Sequence, residues 1–182
     1  MSKSLPTTQE IEALVAAAKA WEPEAFGKLF TLLSEQIYRY SLLRVGNILD
    51  AQDITSETFK RAWSYIKYYR HDNFRAYLFR IAHNLICDYY ASEKKANVAH
   101  KAKIETVVAK QDNLIDKIAK NEEIANLGKA IDQLPPHYAE IISLRFIEEL
   151  SVKETAKIIG KSELIVRVTQ YRALRLLKKI LS

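Results

Sequence analysis

The chain has a single cysteine, Cys87, so no disulfide can form within it, and a reducing compartment suits it. Four glycines and four prolines in 182 residues are too few for an all-β sandwich, which needs a turn every few residues. No apolar stretch approaches the ~20 residues of a membrane-spanning helix. The N-terminus lacks the basic segment and apolar run of a signal peptide, so a cytoplasmic location without membrane insertion is expected. Glycine-rich phosphate loops, nucleophile motifs and paired catalytic acids are also missing, so neither catalysis nor a cofactor is expected. His83 and Cys87 are four residues apart with Asp88 adjacent, but His71, His100 and His137 are scattered. A zinc site needs three or four ligands, and a helix-surface histidine beside a partly buried cysteine is the better reading.

What is present is helical patterning and basic charge. The formal charge is +6, and it is unevenly placed. Lys60 to Arg80 holds six basic residues against one acid, and Lys161 to the end holds six against one. Localised basic faces fit a phosphate backbone, because affinity grows with the number of phosphates neutralised. The pattern predicts an all-α protein of two small helical domains joined by a charged linker. Residues 1–90 form the first domain, 91–126 the linker and 127–182 a helix-turn-helix domain.

In the first domain, residues 1–23 are a partly helical lead-in. Phe26, Leu29, Phe30, Leu33, Ile37 and Tyr40 recur at helical spacing between Glu24 and Val45. Asp50 is the expected N-cap of the next helix, which runs to about Tyr69, and a third helix follows from Phe74 to about Tyr90. The linker has no aromatics and alternates Lys with Glu, with short helices expected around 104–108 and 114–118. In the second domain, Leu134-Pro135-Pro136 separates two helices, and Ile142, Phe146 and Leu150 mark a buried stripe. Ser151 and Glu154 read as a capping box, Gly160 as a stop and Ser162 as the cap of the final helix. This is a helix-turn-helix pattern, and Arg167, Arg172 and Arg175 continue it as phosphate or base contacts.

Ten of the 18 aromatic residues fall within the 32 positions from Phe59 to Tyr90. A three-helix core cannot readily hide them all. Exposed tyrosines such as Tyr69 among Arg70, Arg75 and Arg80 combine stacking platforms with phosphate anchors, as needed to hold unpaired bases. A tyrosine-rich core is the competing reading.

Three strings carry a family resemblance. DAQDITSETFKRAW from Asp50 is similar to D-A-E-D-L-V-Q-E-T-F-x-R-A-W. NFRAYLFRIAHNLICDYY from Asn73 is similar to N-F-R-A-W-L-x-R-I-A-x-N-x-x-x-D-Y. LPPHYAEIISLRFIEELSVKETAKIIG from Leu134 is similar to L-P-x-x-x-R-x-V-x-x-L-R-x-x-E-x-L-S-x-x-E-I-A-x-x-L-G. In that order they resemble the extracytoplasmic-function group of bacterial RNA polymerase sigma factors over nearly the whole chain. The resemblance implies that Asp50, Asp53, Ser56 and Glu57 dock on core RNA polymerase. It implies that Asn73, Asn84 and Asp88 serve minus-ten recognition of promoter DNA, with the loop at 70–73 holding a flipped base. It places Lys161, Ser162, Ile165, Arg167, Val168, Thr169, Arg172 and Arg175 at the minus-thirty-five element, and it implies an anti-sigma factor as a further partner. Ser56 stands where the family has Gln, and Ala91 and Ser92 where arginines often follow. Ile165, Val168 and Thr169 replace the usual Thr, Ser and Arg, and they offer thymine-methyl contacts and one hydrogen bond. The alternatives from the residues themselves are a stand-alone helix-turn-helix regulator, a sigma-like decoy that has lost promoter readout, and, more remotely, a small helical enzyme.

Overall fold

The computed structural model describes residues 7–70, 73–100, 130–131 and 133–181, with side chains as far as Ser92 in the second stretch. His71, Asp72, the two short helices expected in the linker and the start of the second domain at Leu127 lie outside the described residues.

Four helices build the N-terminal half: α1 (Thr8–Lys19), α2 (Pro23–Val45), α3 (Ile48–Tyr65) and α4 (Phe74–His100). The expected lead-in is a full helix. Thr7 and Glu10 close a capping box at its start, and Ile11, Val15 and Ala18 bury one stripe at i, i+4, i+7. Pro23 opens α2, where its missing amide costs nothing, and Gly46 ends that helix at φ 68°, a conformation glycine adopts freely. The cap of α3 is Asn47 rather than Asp50: its Oδ1 accepts from the amides of Leu49 and Asp50, so the helix starts earlier than the sequence pattern indicates. A short 3-10 turn, Ile66–Tyr68, leads out of α3. Asn73 caps α4 through the Ala76 amide at 3.0 Å. That helix then runs ten residues beyond Tyr90 into the expected linker.

Leu29, Leu33, Ile37 and Tyr40 of α2 meet Leu78, Phe79, Ala82 and Ile86 of α4, all essentially inaccessible to water. Truncating a leucine in such a core costs about 2–5 kcal/mol. Phe30, expected on the same stripe, is instead 44% exposed, because it faces outward beside Phe59 at a ring separation of 4.8 Å.

The C-terminal half comprises α5 (Pro136–Ile142), α6 (Val152–Ile159) and α7 (Glu163–Leu181). A π turn, Ser143–Ile147, continues α5, with the Glu148 amide donating to the Ser143 carbonyl. This wider turn breaks the 3.6-residue register, so Leu144 is buried and Phe146, expected inside, is 46% exposed. Ser151 and Glu154 form the expected capping box, and Gly160 ends α6 at φ 65°. Val166, Ala173 and Leu177 carry the buried side of α7. The two halves share a core: the cluster built by α1 to α4 also takes in Leu144, Leu150 and Ile158.

Candidate functional site

The outer face of α3 presents Asp53 and Ser56 to solvent and Glu57 in part. Buried Ile54, Thr58 and Ala62 anchor the opposite side, so the i, i+4 pair Asp53 and Glu57 must share the exposed side. Glu57 accepts from Arg61 at 2.8 Å and lies 3.6 Å from Lys60. The Arg61 hydrogen bond, aided by the charge of Lys60, lowers its carboxyl below the usual range. Asp50, at the helix start, accepts from the Tyr89 hydroxyl at 3.0 Å and so ties α3 to α4. Beside this face lies a shallow groove of about 320 Å³ between α2 and α3, lined by Phe30, Ser34, Glu35, Tyr38, Gln52, Thr55 and Ser56.

The aromatic and basic segment divides. Tyr65 and Tyr68 are 61% and 70% exposed, whereas Tyr69 is buried against Phe74 and Tyr77, with the Lys19 ammonium 6.0 Å from its ring. Arg70, Arg80, Asn84 and Asp88 face solvent, while Asn73 and Arg75 are half-buried. Four of the ten clustered aromatics, Phe59, Tyr69, Phe74 and Phe79, are therefore buried core, four are half-buried, and two are open platforms.

On α7, the residues expected to meet a groove lie along its outer side. Lys161, Ser162, Ile165, Arg167, Val168, Arg172 and Arg175 are exposed and Thr169 is half-buried. Leu164 and Tyr171, which the sequence pattern does not single out, join them at 70% and 62% exposure. The surface mixes these apolar side chains with the exposed Arg167, Arg172 and Arg175. The Arg175 guanidinium lies 5.8 Å from the Tyr171 ring.

A third arrangement was invisible in the sequence. Glu148 and Glu140, both from the C-terminal half, enter the N-terminal half as buried carboxylates. Glu148 is fully buried, and Arg39 of α2 grips it with two bonds of 2.9 Å, Nε to Oε1 and Nη2 to Oε2. Arg75 donates through Nη2 to the Glu148 carbonyl and lies 3.8 Å from its carboxylate. Burial pushes the Glu148 carboxyl up, against the pull of Arg39 and Arg75. Glu140 accepts from the Tyr40 hydroxyl at 3.1 Å, contacts His83 Nδ1 at 2.7 Å and lies 3.7 Å from Arg44. Burial would raise this carboxyl too, but His83, Arg44 and Tyr40 together outweigh it and hold the group below its ordinary value. His83 is thus committed to a carboxylate on one side, with Cys87 Sγ 3.6 Å from its other nitrogen. Among the described residues no three metal-ligating side chains converge. Asn73 also crosses between the halves, donating to Glu154, the same residue that caps α6.

Residues 29–96 match the family described as Sigma-70 region 2, and residues 124–177 match Sigma-70, region 4. The ECF RNA polymerase sigma factor BldN of Streptomyces coelicolor is 36% identical over 92% of this chain, which spans 64% of that protein's length. The RNA polymerase sigma factor SigV of Bacillus subtilis is 32% identical over 79% of this chain and 83% of its own. The fold is similar to that of the sigma factor RpoE of Bartonella quintana in complex with the anti-sigma factor NepR. That match has a TM-score of 0.72 at 18% identity and covers 86% of this chain and 96% of the other. It is also similar to CnrH in complex with the cytosolic domain of CnrY, with a TM-score of 0.71 at 24% identity over 94% and 97% of the two chains. No helix among the described residues is long and apolar enough to cross a membrane.

Proposed function

This chain belongs to the extracytoplasmic-function group of RNA polymerase sigma factors, and from that membership we propose that it binds core RNA polymerase and directs promoter-specific transcription initiation in the cytoplasm. The observation that carries the reading is the solvent-facing carboxylate pair Asp53 and Glu57 on a helix whose other side is locked in the core. Such a pair, presented on a rigid element beside a shallow groove, suits arginines of a partner helix. Region 2 in this reading comprises α2 to α4. Tyr65 and Tyr68 stack on unpaired bases, while Arg70, Arg80, Asn84 and Asp88 line the strand's path. Tyr69 acts from beneath as support, since its ring is buried. Region 4 enters the major groove with α7, where Arg167, Arg172 and Arg175 meet phosphates and Ile165 and Val168 meet thymine methyls.

Gel filtration of the purified chain with core RNA polymerase tests this. A stoichiometric complex that the housekeeping initiation factor displaces is the expected result. No complex at low salt would leave only the fold in common with sigma factors and favour a decoy or a stand-alone regulator.

A partner that holds the protein inactive is favoured by a separate observation. Leu164, Ile165, Val168 and Tyr171 form an exposed apolar strip on α7 that the rest of the described chain does not cover. An anti-sigma factor supplying an amphipathic helix with acidic flanks fits it, and NepR and CnrY are the partners in the two similar structures.

A further inference from the structure

The cleft that receives Glu148 has the features of an anion site. Arg39 presents its guanidinium as a fork to two oxygens, the geometry that suits a carboxylate and a phosphate equally. Arg75 is held from behind: Gln36, 6% exposed, accepts from its Nε at 2.6 Å, and the Phe79 ring lies 5.7 Å from the guanidinium carbon. Both arginines belong to region 2, and Arg75 opens the same helix as Asn73. The anion filling the cleft belongs to region 4, 109 residues along the chain from Arg39. Beside it, Glu154 occupies the Asn73 amide.

We propose that Arg39 and Arg75 form a binding site for a backbone phosphate of the opened promoter strand, and that Glu148 fills this site in the closed protein as an internal substitute for that phosphate. The proposal rests on the sigma-factor reading above. It adds Arg39 to the DNA-contacting residues and makes strand capture and closure of the two regions mutually exclusive. Departure of region 4 empties the cleft and frees Asn73 in the same movement.

Two substitutions in the full chain separate the site from the closure. Glu148→Gln weakens the lock and leaves both arginines in place. Arg39→Gln weakens the lock equally and removes half the site. Small-angle scattering should show a larger radius of gyration for both variants. Anisotropy of a short, fluorescein-labelled single-stranded DNA of randomised sequence should show binding about tenfold or more tighter than wild type for Glu148→Gln alone. Arg39→Gln should bind less tightly than Glu148→Gln, with a salt slope shallower by about 0.7, the value of one phosphate on a single strand. Equal DNA binding by the two expanded variants would overturn the phosphate site. A Glu148→Gln protein that stays compact and binds no tighter would overturn the lock. If circular dichroism shows that Glu148→Gln unfolds, Arg39→Lys takes its place, because lysine loses the fork to Glu148 but keeps a charge for phosphate. Arg39→Lys should then exceed wild type in DNA binding, and Arg39→Gln should fall below Arg39→Lys; failure of that order overturns the proposal. Co-elution with polymerase is measured on the same proteins. Binding to polymerase with a failed DNA result removes only this inference, whereas wild-type protein that never binds polymerase removes the reading beneath it.

Discussion

Glu57 shows how a surface carboxylate is prepared for a charged partner. Its own helix supplies Arg61 and Lys60, which keep it ionised and oriented but remain exposed and contribute little to stability. Replacing Glu57 with Lys is therefore expected to leave the circular dichroism spectrum and melting temperature close to wild type while abolishing co-elution with core polymerase. Retained co-elution would remove Glu57 from the docking surface. The buried carboxylates contrast with it. Removing one partner of a buried ion pair costs about 3–5 kcal/mol, because the other charge is stranded away from water. Arg39 is 37% exposed on its side chain, so water screens part of that cost for the Glu148 pair. Glu140, held by Arg44 and His83 at 9% and 14% exposure, has less such relief.

Among the elements, α6 and its turn into α7 were the most legible from sequence. Ser151, Glu154, Gly160 and Ser162 each act through their own neighbours, and the Ile165 amide does donate to the Ser162 hydroxyl. Such local chemistry needs no knowledge of the rest of the chain. The π turn was not legible, because Phe146 and Leu144 are equally apolar and only the extra residue in the turn decides which is buried. The docking of Glu140 and Glu148 was less legible still. Nothing in LRFIEEL marks which acid turns inward, and the choice depends on Arg39 and Arg75, as that of Glu140 depends on Arg44 and His83, all far away in sequence. Of the anticipated site residues, those on α3 and α7 lie on exposed faces because helical period alone assigns those faces. Tyr69 and Arg75 instead enter packing, because a tyrosine or arginine suits a core edge as well as a surface. For α7 the expected outcome is that Arg172→Ala with Arg175→Ala weakens duplex promoter binding by the polymerase complex and flattens the salt dependence by about 0.9 for each phosphate no longer neutralised. An unchanged slope would mean that these arginines face away from the backbone.

For the whole molecule, the buried Glu140 makes closure of the two halves depend on pH. The Glu140 carboxyl is lowered, so its contribution is complete above the ordinary glutamate value of 4.5 and is lost as pH falls through the lowered one. Scattering across a pH series should therefore show the protein loosening as pH falls through the lowered Glu140 value. Glu140→Gln should abolish the loosening, and its persistence in that variant would assign it to other groups. The length of α4 bears on how the regions come apart. At 27 residues it is a rod of about 40 Å, and its last four residues carry the chain beyond the region 2 match at 29–96 before the link to region 4 begins. The link thus leaves with a fixed angular phase: each residue added between Ala91 and His100 rotates its exit by about 100° and advances it about 1.5 Å. Insertions of seven residues, close to two full turns, nearly restore the exit direction, whereas insertions of two point the link to the opposite side, so tolerance to length change in this segment is periodic rather than graded.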